Sequence, residues 1–344
     1  MSFESLSLKK GLLQTLESLQ YKQPTPIQAE TIPHVLKGHD VIGCAQTGTG
    51  KTAAFALPTI QRLIQLKNNP TTGAEKRRHR SGRRVIRSLI LSPTRELASQ
   101  IATNLDTYSK NMDIRTTVIF GGVKQYSQVK ALHRGVDILV ATPGRLIDLG
   151  QQGHVDLSKV DILILDEADQ MLDMGFIHDL KLIVSKVPED RQTLMFSATM
   201  APEIRRLAKQ WLSHPKEVHV SPEASTPELV DQSVYFVERQ NKQEVLTRFL
   251  AGVEGEKTLV FTRTKRGADK VTKRLNRDGI KAAAIHGDKS QAQRRRVMQQ
   301  FGSHRPPVLV ATDLASRGLD FSDISHVVNF ELPQTPEVYV HRIG

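Results

Sequence analysis

Residues 40–52 read Asp40-Val41-Ile42-Gly43-Cys44-Ala45-Gln46-Thr47-Gly48-Thr49-Gly50-Lys51-Thr52. An apolar run of strand length leads into a glycine-rich turn, and a lysine–threonine pair opens a helical stretch. That order is the context a phosphate-binding loop needs. Its glycines let successive backbone N–H groups curl around phosphates at the positive end of the helix dipole. In such a loop Lys51 reaches the β- and γ-phosphates and Thr52 offers its hydroxyl to Mg²⁺. The usual first glycine of the pattern is Ala45, a small residue at the loop entrance.

Further apolar runs at 88–92, 137–142, 160–165 and 193–197 lack strict alternation, as expected of strands buried on both faces. Helical stretches such as 52–66 and 94–107 lie between them, which implies an α/β fold with a parallel sheet covered by helices on both sides. The run Val160-Asp161-Ile162-Leu163-Ile164-Leu165 ends in Asp166-Glu167. A carboxylate emerging there faces the phosphate loop, so Asp166 is the natural Mg²⁺ partner, directly or through water. Glu167 points differently and can take the proton from an attacking water. Together these features imply a nucleoside triphosphatase.

A second copy of the pattern follows. Leu89-Ile90-Leu91 matches Leu259-Val260-Phe261, and Leu139-Val140-Ala141-Thr142 matches Leu309-Val310-Ala311-Thr312, both at an offset of 170. Arg115–Gly121 resembles Lys281–Gly287 at an offset of 166. Three blocks in one order at nearly one spacing imply two related α/β domains, of which only the first carries a phosphate loop. The expected division is 1–220, a linker at 221–229 where two prolines interrupt the pattern, and 230–344.

The 344 residues carry a net charge of +12, which favours an anionic partner, nucleic acid first. The window 76–87 holds seven Lys or Arg and no acid, so the excess reads as one basic surface loop rather than an entire face. One cysteine, Cys44, excludes an internal disulfide framework and suits a reducing compartment. No apolar run reaches membrane-spanning length and no secretory leader precedes the first helix, so a cytoplasmic protein is expected. No His/Cys spacing points to zinc.

Asp166-Glu167-Ala168-Asp169 spells the signature of the DEAD-box RNA helicases, and other motifs match that family in order. They are Ala45–Thr52, Pro93-Thr94-Arg95-Glu96-Leu97, Gly121-Gly122, Thr142-Pro143-Gly144-Arg145, Ser197-Ala198-Thr199, Thr312-Asp313, Arg317-Gly318-Leu319-Asp320 and His341-Arg342-Ile343-Gly344. The chain resembles that family from Phe3 to its last residue, most closely its bacterial RhlE-like branch. The resemblance implies two tandem RecA-like domains with a cleft between them. It also implies ATP with Mg²⁺, and local separation of short RNA duplexes by a monomer whose surroundings include ribosome or RNA-decay assemblies.

The resemblance further assigns individual residues. Tyr21-Lys22-Gln23-Pro24-Thr25-Pro26-Ile27-Gln28 matches the family's adenine motif. Tyr21 would stack on the base while the glutamines Gln23 and Gln28 sit at the cofactor. A glutamine amide pairs one donor and one acceptor with adenine and mismatches guanine. Phe3 fits the family's isolated upstream aromatic, and Gln20 stands where the family often has glycine. Pro93, Thr94, Arg95, Gly121, Gly122, Thr142, Pro143, Gly144 and Arg145 would hold the sugar–phosphate backbone, with Arg263, Thr312 and Asp313 in the second domain. Such contacts carry little sequence information, and 2′-OH groups would select RNA over DNA. Ser197 and Thr199 resemble the relay from hydrolysis to strand separation, His341 would meet it, and Gly318 and Asp320 would approach the nucleotide.

The family pattern continues past the final HRIG with two arginines that reach the γ-phosphate, and the sequence stops at Gly344. An arginine finger contributes roughly 10³–10⁵ in rate, or about 4–7 kcal/mol, so this chain alone would hydrolyse little. A helicase sequence cut within its last motif is the expectation, an ATP-gated RNA-binding protein without turnover is the alternative, and a DNA-directed helicase is third.

Overall fold

Strand runs of continuous apolar character end up covered on both sides. The computed structural model describes residues 2–46, 48–68, 84–220, 230–303, 306–313, 324–333 and 336–343, and the chain divides into two compact units, Met1–Pro222 and Glu223–Gly344. The first unit opens with a 3-10 turn (Phe3–Leu6) and helices α1 (Lys10–Ser18) and α2 (Pro26–Leu36). It continues through β1 (Val41–Cys44), α3 (Lys51–Asn68), β2 (Ser88–Leu91), α4 (Arg95–Tyr108), β3 (Thr116–Ile119), α5 (Tyr126–His133), β4 (Ile138–Ala141) and α6 (Pro143–Gln151). β5 (Ile162–Leu165), α7 (Ala168–Asp173), α8 (Ile177–Val184), β6 (Gln192–Ser197), α9 (Pro202–Trp211) and β7 (Lys216–His219) complete it.

Its strands form one parallel sheet in the order β3-β4-β2-β5-β6-β1-β7. Neighbouring residues on a strand point to opposite faces. Thus Ile90, Ile162 and Ile164 enter one core layer with Phe55 and Phe196, while Leu89, Leu91, Leu163 and Leu165 enter the other with Met171 and Met195. Each such fully buried side chain contributes about 1.5–3 kcal/mol. Both layers clamp the sheet, so the strand ends are held rigidly.

The end of the basic window is structural. Arg87 is buried, its Nε 3.2 Å from Asp161 Oδ2 and its Nη1 donating to the Leu63 carbonyl at 2.8 Å. Arg84 pairs with Asp113 and Asp137. These two guanidiniums tie the entry of β2 to its neighbours and are not part of a solvated loop; positions 76–83 lie outside the described residues.

The second unit contains α10 (Lys242–Gly252), β8 (Thr258–Phe261), α11 (Lys265–Arg277), β9 (Ala282–Ile285), α12 (Gln291–Phe301), β10 (Val308–Ala311), β11 (His326–Asn329) and α13 (Pro336–Ile343). Its parallel sheet runs β11-β8-β10-β9. The internal repeat is topological: β3-β4-β2-β5 in the first unit corresponds to β9-β10-β8-β11 in the second. Even the caps repeat at 170 residues. Thr94 accepts the Leu97 amide to start α4, and Thr264 accepts the Gly267 amide to start α11. Positions 221–229, where the linker is expected, lie outside the described residues.

Candidate active site on the sheet edge

In an open parallel sheet, loops after the strands share one edge, and the crevice at that edge is where ligands bind. Here the edge has two halves. The loops after β1, β5 and β6 carry the phosphate loop, the Asp166–Asp169 run and Ser197–Thr199, and those strands are contiguous as β5-β6-β1. The loops after β2, β3 and β4 carry Pro93–Arg95, Gly121–Gly122 and Thr142–Arg145, and those strands are contiguous as β3-β4-β2. Asp166 follows β5, which pairs with β2 and so sits at the seam between the halves.

The phosphate loop is held closed by its own side chains. Gly48 and Gly50 take positive φ values of 82° and 89°, which only glycine adopts without strain. Thr49 Oγ1 donates to the Gln46 carbonyl at 2.7 Å, and buried Lys51 donates from Nζ to the Ala45 carbonyl at 2.7 Å. Gln28, buried in the first turn of α2, accepts the Thr25 amide at 3.0 Å and donates from Nε2 to the Gly50 carbonyl at 3.1 Å. Each of its amide atoms retains one further bonding direction. Gln28 therefore couples the adenine motif to the loop and keeps a donor and an acceptor for a base. Gln23 is exposed and makes no such bridge.

Tyr21 is placed by a helix ending. α1 closes with the Gln20 amide on the Glu17 carbonyl and the Tyr21 amide on the Leu16 carbonyl, both 2.9 Å, the Schellman pattern. That pattern needs a left-handed residue, and Gln20 supplies it at φ 60°. Glycine would take this conformation without strain. Buried Phe3 stacks on Tyr21 with centroids 6.5 Å apart, and Tyr108 meets it edge-on at 6.4 Å with the two hydroxyls 3.3 Å apart. Phe3 belongs to the core and at the same time supports the Tyr21 ring.

At the acidic run, Asp166 is buried and accepts the Glu167 amide at 3.1 Å. Burial pushes its carboxyl above the ordinary range and Asp169 adds to the rise, against the opposing pull of the Lys51 ammonium and the Glu167 amide. An oxygen donor that burial penalises as an anion gains most from a neighbouring cation. Glu167, also buried, sits in the left-handed region at φ 54°, a conformation costing about 1–2 kcal/mol for a non-glycine residue.

Asp169 is the residue that the motif-by-motif reading passed over. Its Oδ2 accepts the Ala198 amide at 3.0 Å, the Thr199 amide at 3.0 Å and the Thr199 hydroxyl at 3.2 Å. Of the two expected relay residues, Thr199 makes this contact. Ser197 is fully buried at the end of β6, and its hydroxyl takes no hydrogen-bond partner among the described residues. Cys44 donates its thiol to the Ala198 carbonyl at 3.7 Å, and burial raises its pKa.

On the other half, the Arg95 guanidinium lies where a Cβ on Gly122 would be, and Gly122 has φ 74°. Arg145 donates to the Val123 carbonyl at 3.2 Å and its Nε lies 3.3 Å from Asp148. Three loops thus converge. Thr94 caps α4 through its hydroxyl, Thr142 holds the N-cap position of α6 without a side-chain cap bond, and Pro143, which has no N–H, opens α6 ahead of Gly144. Cations over helix N-termini suit phosphate oxygens.

In the second unit, Arg263 donates its amide to Glu331 at 2.7 Å, and Thr312 is buried at the end of β10. Asp313 does not stand ready for RNA. Its two oxygens are gripped by Arg342 at 2.5 and 2.8 Å, while Arg342 also donates to Asn329 and the Glu331 carbonyl and lies over the Phe261 ring. A bidentate pair of this kind positions α13 rather than a ligand. Thr47, Gly318 and Asp320 lie outside the described residues, as does the side chain of His341.

Comparison with known proteins matches this layout. The DEAD/DEAH box helicase family model covers residues 25–207, and the helicase conserved C-terminal domain covers 241–344. The chain is 44% identical over all 344 residues to the DEAD-box ATP-dependent RNA helicase CshA of Streptococcus pneumoniae serotype 4, and it spans 63% of that relative's length. A DEAD box protein from Methanococcus jannaschii is 38% identical at a TM-score of 0.58, covering 100% of this chain and 88% of that one. Saccharomyces cerevisiae Dbp5 bound to RNA and ADP BeF3 is 28% identical at a TM-score of 0.80, covering 99% and 85%. The family models together span both units, and the chain belongs to the DEAD-box ATP-dependent RNA helicase family.

Proposed function

We propose that this chain binds ATP on the β5-β6-β1 half of the edge and RNA backbone on the β3-β4-β2 half, and uses hydrolysis to separate short RNA duplexes. The adjacency of the two halves carries the reading, with Asp166 at their seam. Lys51 would neutralise phosphate charge, and buried Glu167 would serve as the base for an attacking water. Gln28 reads adenine while holding Gly50, so base recognition and loop shape are one arrangement. The first unit would be the ATP-binding domain, and the second would carry Arg263, Thr312, Gly318, Asp320 and His341.

The donor set fits Mg²⁺: a buried carboxylate at Asp166 and a hydroxyl at Thr52 are hard oxygen ligands. When bound, the ion neutralises charge on the phosphates. Among the described residues no group of three His, Cys, Asp or Glu could cage a metal ion. No helix among the described residues is long and apolar enough to cross a membrane. A cytoplasmic monomer working beside ribosome or decay assemblies remains part of this proposal.

The test is ATP turnover with and without single-stranded RNA, single-stranded DNA as comparator, and strand displacement on a short RNA duplex. Stimulation by RNA that vanishes in Glu167→Gln supports the reading. Equal stimulation by DNA, or ATP-dependent RNA binding without turnover, would replace it with one of the two alternatives.

A further inference from the structure

The charge of this chain has a second centre that the basic window hides. Along α11, Arg266, Lys270, Lys273 and Arg277 follow one another at intervals of four, three and four, so they form a single stripe. Ala268, Val271 and Leu275 are the buried face of the same helix, directly opposite, so the stripe points straight into solvent. Arg266, Lys270 and Lys273 have no ion-pair partner among the described residues. Arg277 lies 3.9 Å from Asp278, an acid already engaged by Arg274 at 3.2 Å.

Three observations argue against a merely solvated face. First, like charges one turn apart oppose helix formation, and a face with mixed signs would be equally soluble. Second, the first turn of α11 contains Lys265 and Arg266 and no acid, which places cations at the positive end of the helix dipole. Third, the sister helix is an internal control. At the same offset of 170 that aligns the caps, α4 carries Glu96, Gln100, Thr103 and Thr107, with no cation among them. The stripe is thus a property of the second unit alone and not of the duplicated scaffold.

We propose that this face of α11 is an auxiliary docking surface for the phosphate backbone of RNA lying outside the motif loops. The inference rests on the RNA reading above. The stripe starts three residues from Arg263, the expected RNA contact of this unit, and runs about 16 Å along the helix. That length is the axial rise of about five phosphates of one strand at 3.4 Å each. Evenly spaced flexible cations follow such a backbone without reading bases.

The experiment uses the full chain and a fourfold variant, Arg266→Gln, Lys270→Gln, Lys273→Gln and Arg277→Gln, chosen to keep helix propensity. Binding of a short single-stranded RNA and of a long RNA with a flanking duplex is measured from 50 to 200 mM salt, beside RNA-stimulated ATPase. For the long RNA the log–log salt slope should flatten by about 2.8, at 0.7 per phosphate contact. The advantage of the parent chain over the variant then shrinks by about 50-fold across that range. Short-RNA affinity, saturated ATPase and thermal midpoint should be unchanged. An unchanged slope, or equal weakening for both RNAs, overturns the proposal. Binding of the short RNA by the parent chain reports the RNA reading separately, so its absence would sink that reading instead.

Discussion

Thr199 gives Asp169 both its amide and its hydroxyl, at 3.0 and 3.2 Å, so the fourth residue of the DEAD run is bonded directly to the loop after β6. With the Ala198 amide on the same oxygen, one carboxylate atom holds the turn. Substituting Asp169→Ala leaves half-buried donors without their acceptor and should cost about 1–2 kcal/mol of stability. Thr199→Val removes only the hydroxyl bond and should cost about 1 kcal/mol. Both variants should separate duplexes less per ATP consumed. Paired ATPase and strand-displacement measurements check this; unchanged coupling in both would show that the contact only braces the turn.

Gly50 is pinned twice over. Its φ of 89° excludes a side chain, and a Cβ there would run into the Gln28 amide. Gly50→Ala should therefore weaken ATP binding by at least tenfold, through displacement of Gln28 as well as backbone strain of about 1–2 kcal/mol. Fluorescent-nucleotide titration measures it. The variant should also lose discrimination between ATP and GTP, because Gln28 is the shared element.

Gln20→Gly should do the opposite. The left-handed conformation at φ 60° costs a non-glycine residue about 1–2 kcal/mol, partly offset by the greater freedom of glycine in the unfolded chain. A net gain of up to about 1 kcal/mol is expected, read as a raised denaturant midpoint with unchanged nucleotide affinity. A fall in midpoint would show that the Gln20 side chain holds the Tyr21 turn.

Tyr108 sets an alkaline limit. Burial, with the Tyr21 hydroxyl beside it, raises its pKa well above the ordinary value near 10. Above pH 10 the unfolded chain releases this proton and the folded chain keeps it, so the unfolded state binds fewer protons and stability falls as pH rises. The slope contribution is at most about 1.4 kcal/mol per pH unit. Phenolate absorbance should show one of the five tyrosines failing to titrate until the chain unfolds. Tyr108→Phe should flatten the decline.

Much of the site could be read without coordinates where local chemistry dictates it. Gly48 and Gly50 announce positive φ, Lys51 follows a strand and a turn, and Asp166 ends a run of four apolar residues. Repeated blocks at 170 residues announced two related sheets, and the same strand order appears in both. Asp313 was different. Its motif position said ligand, while the bidentate grip of Arg342, 29 residues later, says scaffold. Arg84 and Arg87 similarly looked like loop charge until Asp137 and Asp161 closed on them.

What the amino-acid order determined by itself is whatever depends on neighbours within a few residues: strand and helix periods, turn glycines, caps, the identity of the phosphate loop and the acidic pair. Only the tertiary structure decided which side chain satisfies which. That Gln28 bonds Gly50, that Asp169 rather than Ser197 ties the acidic run to Thr199, and that Phe3 backs Tyr21 are contacts across many residues of chain. The physical reason is burial. Inside the fold most buried polar groups find a partner, and that partner is chosen by which strands pack side by side, not by sequence distance.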